Sequence, residues 1–183
     1  MDKEQRVINQ TRFENLALNG FPEGCLSNAY VDGVIITRLP QNIKVENTRF
    51  YECRFRDLFL DKLDLEGCVI ADGIFLNIMA QELNLSGATV YGTLFSCLDI
   101  EKLDMSGITI RHSSMREGKV DRMYVGDSTI ESTYFYRLKP ERIDGIERAR
   151  LTMGGATNQE VENYQKQVME SLTIINKKAK KVR

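Results

Sequence analysis

Between Val45 and Phe135 every fifth residue is apolar: Val45, Phe50, Phe55, Leu60, Leu65, Ile70, Phe75, Ala80, Leu85, Val90, Phe95, Ile100, Met105, Ile110, Met115, Val120, Val125, Ile130 and Phe135. Neither an α-helix, with a period of 3.6, nor a flat strand, with a period of 2, puts an apolar side chain at every fifth place. A longer period lies on top. Leu63-Asp64-Leu65-Glu66-Gly67, Leu83-Asn84-Leu85-Ser86-Gly87 and Leu103-Asp104-Met105-Ser106-Gly107 recur at twenty-residue intervals, so four fives make one unit. Self-similarity at such an interval marks a stacked architecture in which each unit buries its apolar face against its neighbours. The pattern predicts an all-β solenoid whose coils have four flat sides, with the every-fifth residue pointing inward from the middle of each side.

A second inward position lies two places earlier. It reads Thr48, Cys53, Leu58, Leu63, then Cys68, Gly73, Ile78, Leu83, then Ala88, Thr93, Leu98, Leu103. Two corners of each coil take Leu or Ile and two take small residues, as a square interior of fixed volume requires. One side carries Phe55, Phe75 and Phe95, interrupted by Met115 and resumed at Phe135. At the roughly 4.8 Å spacing of hydrogen-bonded strands these rings can stack in offset fashion. The remaining positions face outward and are mostly polar. Asp104, one place before Met105, is expected to be one of these free outward residues, and Gly67, Gly87 and Gly107 to serve a turn at one corner.

The ends depart from the ladder. Residues 1–24 are expected to form an N-terminal cap and irregular first coil: Leu16-Ala17-Leu18-Asn19-Gly20 echoes the later units two residues out of phase, and Phe21-Pro22-Glu23-Gly24 reads as the turn that absorbs the difference. From Cys25 the frame is expected to hold, with Asp32-Gly33-Val34-Ile35-Ile36 matching Asp72-Gly73-Ile74-Phe75-Leu76 and Pro40 at a corner. Ile146 to Leu151 continues the beat shifted by one, which extends the β-helix over 25–152. Residues 153–183 read as a linker, a helix and a basic tail. Gly154-Gly155 breaks the ladder, and Thr157-Asn158-Gln159-Glu160 is a capping box. Val161, Tyr164, Val168, Leu172 and Ile175 then share one face of a helix predicted over 158–176. That face is expected to cap the open end of the solenoid or to mediate a homodimer.

The ladder over 25–140 resembles the pentapeptide-repeat family. The family's usual Ala before Asp or Asn and then Leu is mostly replaced here, Ala88 standing among Leu, Thr, Cys and Gly. The resemblance implies a right-handed quadrilateral β-helix, here with a C-terminal α-helix, in a bacterial protein. It also implies two functions known in that family: mimicry of duplex DNA toward DNA gyrase or topoisomerase IV in quinolone resistance, and action as a secreted bacterial effector.

Charge weighs on the first of these. Residues 41–140 carry 15 acids and 12 bases, an excess of three. Duplex DNA carries one negative charge per roughly 1.7 Å, so the imitation is poor. Net charge is −1, which argues against gross attraction to nucleic acid or an anionic membrane. No apolar run approaches a membrane span, the N-terminus is unlike a signal peptide, and the four Cys lack metal-like pairing, so a cytoplasmic, reduced protein is expected. His112, the only histidine, falls outward; Cys53 and Cys68 fall in small inward slots; Cys97 falls outward. No nucleophile–base set, phosphate loop or metal-ligand spacing is present in the sequence, so neither enzyme activity nor a cofactor is expected. The anomaly is apolar and outward: Ile74, Leu76 and Leu94 on the Phe-ladder side, Phe59 and Met79 near the following corner, Tyr134 and Tyr136 two coils on. Contiguous exposed apolar surface marks an interface. The expected function is therefore a non-catalytic protein–protein interaction module that binds a protein partner or itself, unless the chain's own helix lies on that patch.

Overall fold

In a computed structural model the chain forms a parallel β-solenoid of about seven turns with a small C-terminal helix. The structure describes residues 6–152 and 158–173. Four of the inner coils alternate a short strand with a long one: β5 (Arg49–Tyr51) and β6 (Arg54–Asp64), β7 (Val69–Ala71) and β8 (Ile74–Asn84), β9 (Thr89–Tyr91) and β10 (Leu94–Asp104), β11 (Thr109–Arg111) and β12 (Ser114–Tyr124). A fifth pair, β13 (Thr129–Glu131) and β14 (Tyr134–Asp144), follows. Before them stand β1 (Arg6–Ile8), α1 (Gln10–Leu18), β2 (Ala29–Asp32), β3 (Ile35–Ile36) and β4 (Asn42–Lys44); after them come a 3₁₀ turn (Ile146–Arg148), β15 (Arg150–Thr152) and α2 (Asn158–Thr173). The short strands stack in the order β1-β2-β5-β7-β9-β11-β13-β15, and the long ones in the order β14-β12-β10-β8-β6-β3, with β4 also on β6. All pairings are parallel, with twenty-residue offsets such as Phe55↔Phe75 and Phe95↔Phe75.

All the every-fifth residues from Val45 to Phe135 are buried, as the periodicity requires. The corners explain the period. Left-handed backbone recurs at Glu52, Asp57, Gly67, Asp72, Asn77, Gly87, Gly92 and Cys97, which marks three corners of each coil. At the fourth corner the long strand bends with no such residue. Left-handed φ is costly for most side chains and least so for Gly, Asn and Asp, which accounts for the glycines at 67, 87 and 107 (φ 65, 62 and 64°). Inside, Gly118 follows from close packing: a Cβ there would lie 2.8 Å from Leu138 Cδ1 and 3.1 Å from the Leu98 carbonyl oxygen.

The first coil corrects two expectations. Ile36, not Ile35, pairs with Phe55, and Val31 pairs with Phe50. Val31 and Ile36 are buried and Ile35 is exposed, so the frame from Cys25 is displaced by one residue. The displacement ends before β4, where Ile43 pairs with Leu63 at the usual offset. The segment between Ile36 and Asn42 is one residue short, and the Gln41 carbonyl accepts from both Asp61 N and Lys62 N (3.0 and 2.9 Å). Leu16-Ala17-Leu18 belongs not to a coil but to α1, whose start is fixed by Asn9 accepting from Arg12 N. Phe13 of α1 is buried and meets Phe21, closing the N-terminal end of the stack. At the other end the one-residue shift is present. Leu151 is buried and pairs with Ile130 at an offset of 21, the extra residue being taken up around Gly145 (φ 83°) and the 3₁₀ turn.

Candidate interaction surface

Outward residues fall in pairs flanking each every-fifth position, and strand register turns each pair into two columns along the solenoid. The side built on the Phe ladder has the columns Ile35, Arg54, Ile74, Leu94, Ser114, Tyr134 and Arg56, Leu76, Ser96, Arg116, Tyr136. Ile74 and Leu94 are therefore direct neighbours, about 4.8 Å apart on adjacent strands, and half-buried; Leu76 is exposed. Past the corner at Asn77, Phe59 pairs with Met79, both exposed, Phe59 at 60 %. The structure thus brings together five of the seven expected surface residues. Tyr134 and Tyr136, also exposed, lie a rung beyond Ser114 and Arg116 and are separated from the aliphatic group.

Helix α2 does not lie on the aliphatic group. Its main packing is against β14 and β15. Tyr164 and Val168 are buried there; the Tyr164 hydroxyl donates to the Thr133 carbonyl and accepts from Thr133 N (2.7 Å). Burial pushes that hydroxyl up to about 12. Tyr134 meets the Tyr164 ring edge-on, with centroids 6.0 Å apart. The part of the helix face that is described is used within the chain, closing the last coil. The side chains of Val161 and Leu172, Ile175, Thr157 of the capping box and the basic tail lie outside the described residues.

Charge is distributed by side. On the side after the Asn77 corner, Asp61, Glu101, Asp121 and Glu141 run beside Lys62, Lys102, Arg122 and Arg142. Glu82 bridges Lys62 and Lys102 (3.2 and 3.3 Å), and Lys119 pairs with Asp121 (2.9 Å). This is a patchwork of compensated charge and no continuous acidic stripe. The opposite side of the square from the Phe ladder carries the column Asp64, Asn84, Asp104. Asp104 is not the free outward residue expected. It is half-buried and accepts from Ser106 N (3.0 Å), as Asn84 does from Ser86 N (2.9 Å) and Asp64 from Glu66 N (3.2 Å), while Asn84 Nδ2 donates to Asp64 Oδ1 (2.9 Å). Each side chain closes a turn at a corner, a role signalled by Asp or Asn two places before the turn amide.

The remaining candidates sit as expected. Cys53 and Cys68 are buried, and burial pushes both thiols up to about 11; Cys97 is exposed at a corner. His112 is exposed and meets Tyr91 edge-on at 5.4 Å. Among the described residues no group of three His, Cys, Asp or Glu is arranged to hold a metal ion, and no helix is long and apolar enough to cross a membrane. One apolar feature escaped the sequence reading. Tyr51, Val69 and Tyr91 are exposed on the side preceding the Phe ladder; the outward positions flanking Phe50, Ile70 and Val90 carried that signal. Compared with known proteins, the chain matches no family model, no curated protein and no solved structure.

Proposed function

We propose that the chain is a non-catalytic protein–protein interaction module, a right-handed quadrilateral β-helix of the pentapeptide-repeat kind that presents its Phe-ladder side to a protein partner. The observation that carries this reading is the outward aliphatic group of exposed Leu76 and half-buried Ile74 and Leu94, which no other described element packs over, standing on a sheet whose interior is already filled. Fully covering an exposed aliphatic side chain gains about 1.5–3 kcal/mol, and these three, partly covered already, leave an occupant of this side a fraction of that at each position. The fold supports the reading, because backbone ladders on every side hold the three side chains in fixed register. Mimicry of duplex DNA draws no support from the charge pattern, since the acidic columns are interleaved with Lys and Arg.

The test is the double substitution Ile74→Asp with Leu94→Arg. Both side chains point away from the core, so the far-ultraviolet circular dichroism and unfolding midpoint should match the wild type. Proteins retained from a native lysate by the wild type should be missing from the variant. A folded variant that retains the same proteins would overturn the proposal.

A further inference from the structure

The electrostatic setting of the aliphatic group narrows the partner. The ten outward positions from Arg54 to Tyr136 on this side hold three guanidiniums and no carboxylate: Arg54 and Arg56 one rung before Ile74 and Leu76, and Arg116 one rung after Ser96. The nearest carboxylates stand at the corners, at Glu52, Asp57, Asp72 and Glu117. Of the three arginines, Arg56 is ion-paired, to Asp57 at 3.1 Å. Arg54 and Arg116 have no ion pair among the described residues, and both are exposed. Two unmatched guanidiniums thus bracket three aliphatic side chains diagonally, three rungs or about 14 Å apart along the stack and in different columns.

Resting on the reading above, we infer that this side recognises an acidic, apolar peptide segment of a partner protein, with carboxylates set against Arg54 and Arg116 and aliphatic residues between them against Ile74, Leu76 and Leu94. Guanidinium and carboxylate match in planar, bidentate geometry, and unpaired positive charge steers and selects an acidic partner. An extended segment advances about 3.3 Å per residue, so carboxylates about four residues apart would reach both arginines. A nucleic acid strand would satisfy the arginines but leave three aliphatic side chains facing sugar and phosphate, which offer them no burial.

The experiment uses the full chain, immobilised, and a displayed library of random twelve-residue peptides. Enriched peptides should carry two acidic residues about four apart with Leu, Ile, Val or Phe between them. Their binding should fall about tenfold or more for Arg54→Glu with Arg116→Glu, and should be lost for Ile74→Asp with Leu94→Arg, both variants keeping wild-type circular dichroism. Selection repeated on the charge-reversed variant should enrich Lys and Arg at those positions. Peptides that need Ile74 and Leu94 but show no charge preference would overturn this inference and leave the interaction surface standing. Peptides indifferent to both pairs of substitutions would overturn both. A labelled twenty-nucleotide single strand that binds the wild type and loses binding with Arg54→Glu and Arg116→Glu, in the absence of acidic peptides, would make nucleic acid the occupant and overturn the inference.

Discussion

The ring of Phe75 lies flat on that of Phe55, with centroids 4.3 Å apart and planes inclined by 8°. Phe95 continues the stack at 4.8 Å and 21°. The spacing is that of the hydrogen-bonded strands themselves, so rings at one position of successive coils have nowhere to go but onto each other. Phe75, touched from both sides and fully buried, is the centre of this column. Replacing it with Ala should lower the unfolding free energy by about 3–5 kcal/mol, read from urea or thermal unfolding. A loss below about 1 kcal/mol would mean that the column is not packed as described.

Gly118 stands in a column otherwise filled by Leu58, Ile78, Leu98 and Leu138. A methyl group there would press on Leu138 Cδ1 at 2.8 Å and on the Leu98 carbonyl. Gly118→Ala should therefore destabilise by about 1–3 kcal/mol, as overpacking does, although Ala is the better residue in most structured backbones. A second substitution, Leu138→Ala, should make Gly118→Ala less harmful than it is alone; a double-mutant cycle measures this coupling.

The column Asp64, Asn84, Asp104 predicts a graded series. Asp104→Ala removes one acceptor from a half-buried turn and should cost about 1 kcal/mol. Asn84→Ala removes two bonds, the one that Asn84 accepts from Ser86 N and its 2.9 Å bond to the buried Asp64 carboxylate, which keeps Glu66 N and Lys62, and should cost more, about 2 kcal/mol. Chemical unfolding of the two variants checks the order.

The buried thiols set the alkaline limit. Cys53 and Cys68 ionise at about 11 in the folded chain against an ordinary value of 9.0. Between those values the unfolded chain binds fewer protons than the folded one, so the unfolding free energy falls as pH rises. The contribution is fully present below about pH 9 and fades through pH 11. Tyr164, raised to about 12 by burial, extends the decline upward. Urea midpoints should be flat from pH 7 to 8.5 and drop by pH 10.5, less steeply in Cys68→Ala, whose side chain copies Ala88 in the next coil. An Ellman's titration of the native chain at pH 8 should find one fast thiol, Cys97.

What could be read from the chain follows from where geometry repeats. A square coil of fixed section makes the same demand at every fifth residue, so Val45 to Phe135 announce themselves, and Ile146 to Leu151 do so despite a one-residue shift. Where the coil length changes, the pattern misleads: the missing residue between Ile36 and Asn42 made Ile35 look like a partner of Phe75, though Ile36 stacks there through Phe55. Leu16-Ala17-Leu18 imitates a coil motif because a short helix also spaces apolar residues closely, and its cap at Asn9 carries the distinguishing signal. The aliphatic group at Ile74, Leu76 and Leu94 was legible because outward apolar residues break an otherwise polar wall. The turn-closing role of Asp104 was not, because an outward Asp and a turn-bonded Asp look alike in sequence.

Half-buried Ile74 and exposed Leu76 stand on the outside of a coil whose Phe75 points inward. Single cysteines at 74, 75 and 76, each in a Cys97→Ser background, report this directly through their rates of maleimide labelling in the folded chain. Ile74→Cys and Leu76→Cys should label fast, and Phe75→Cys only at the rate of unfolding. Protection at 74 and 76 as strong as at 75 would contradict this placement.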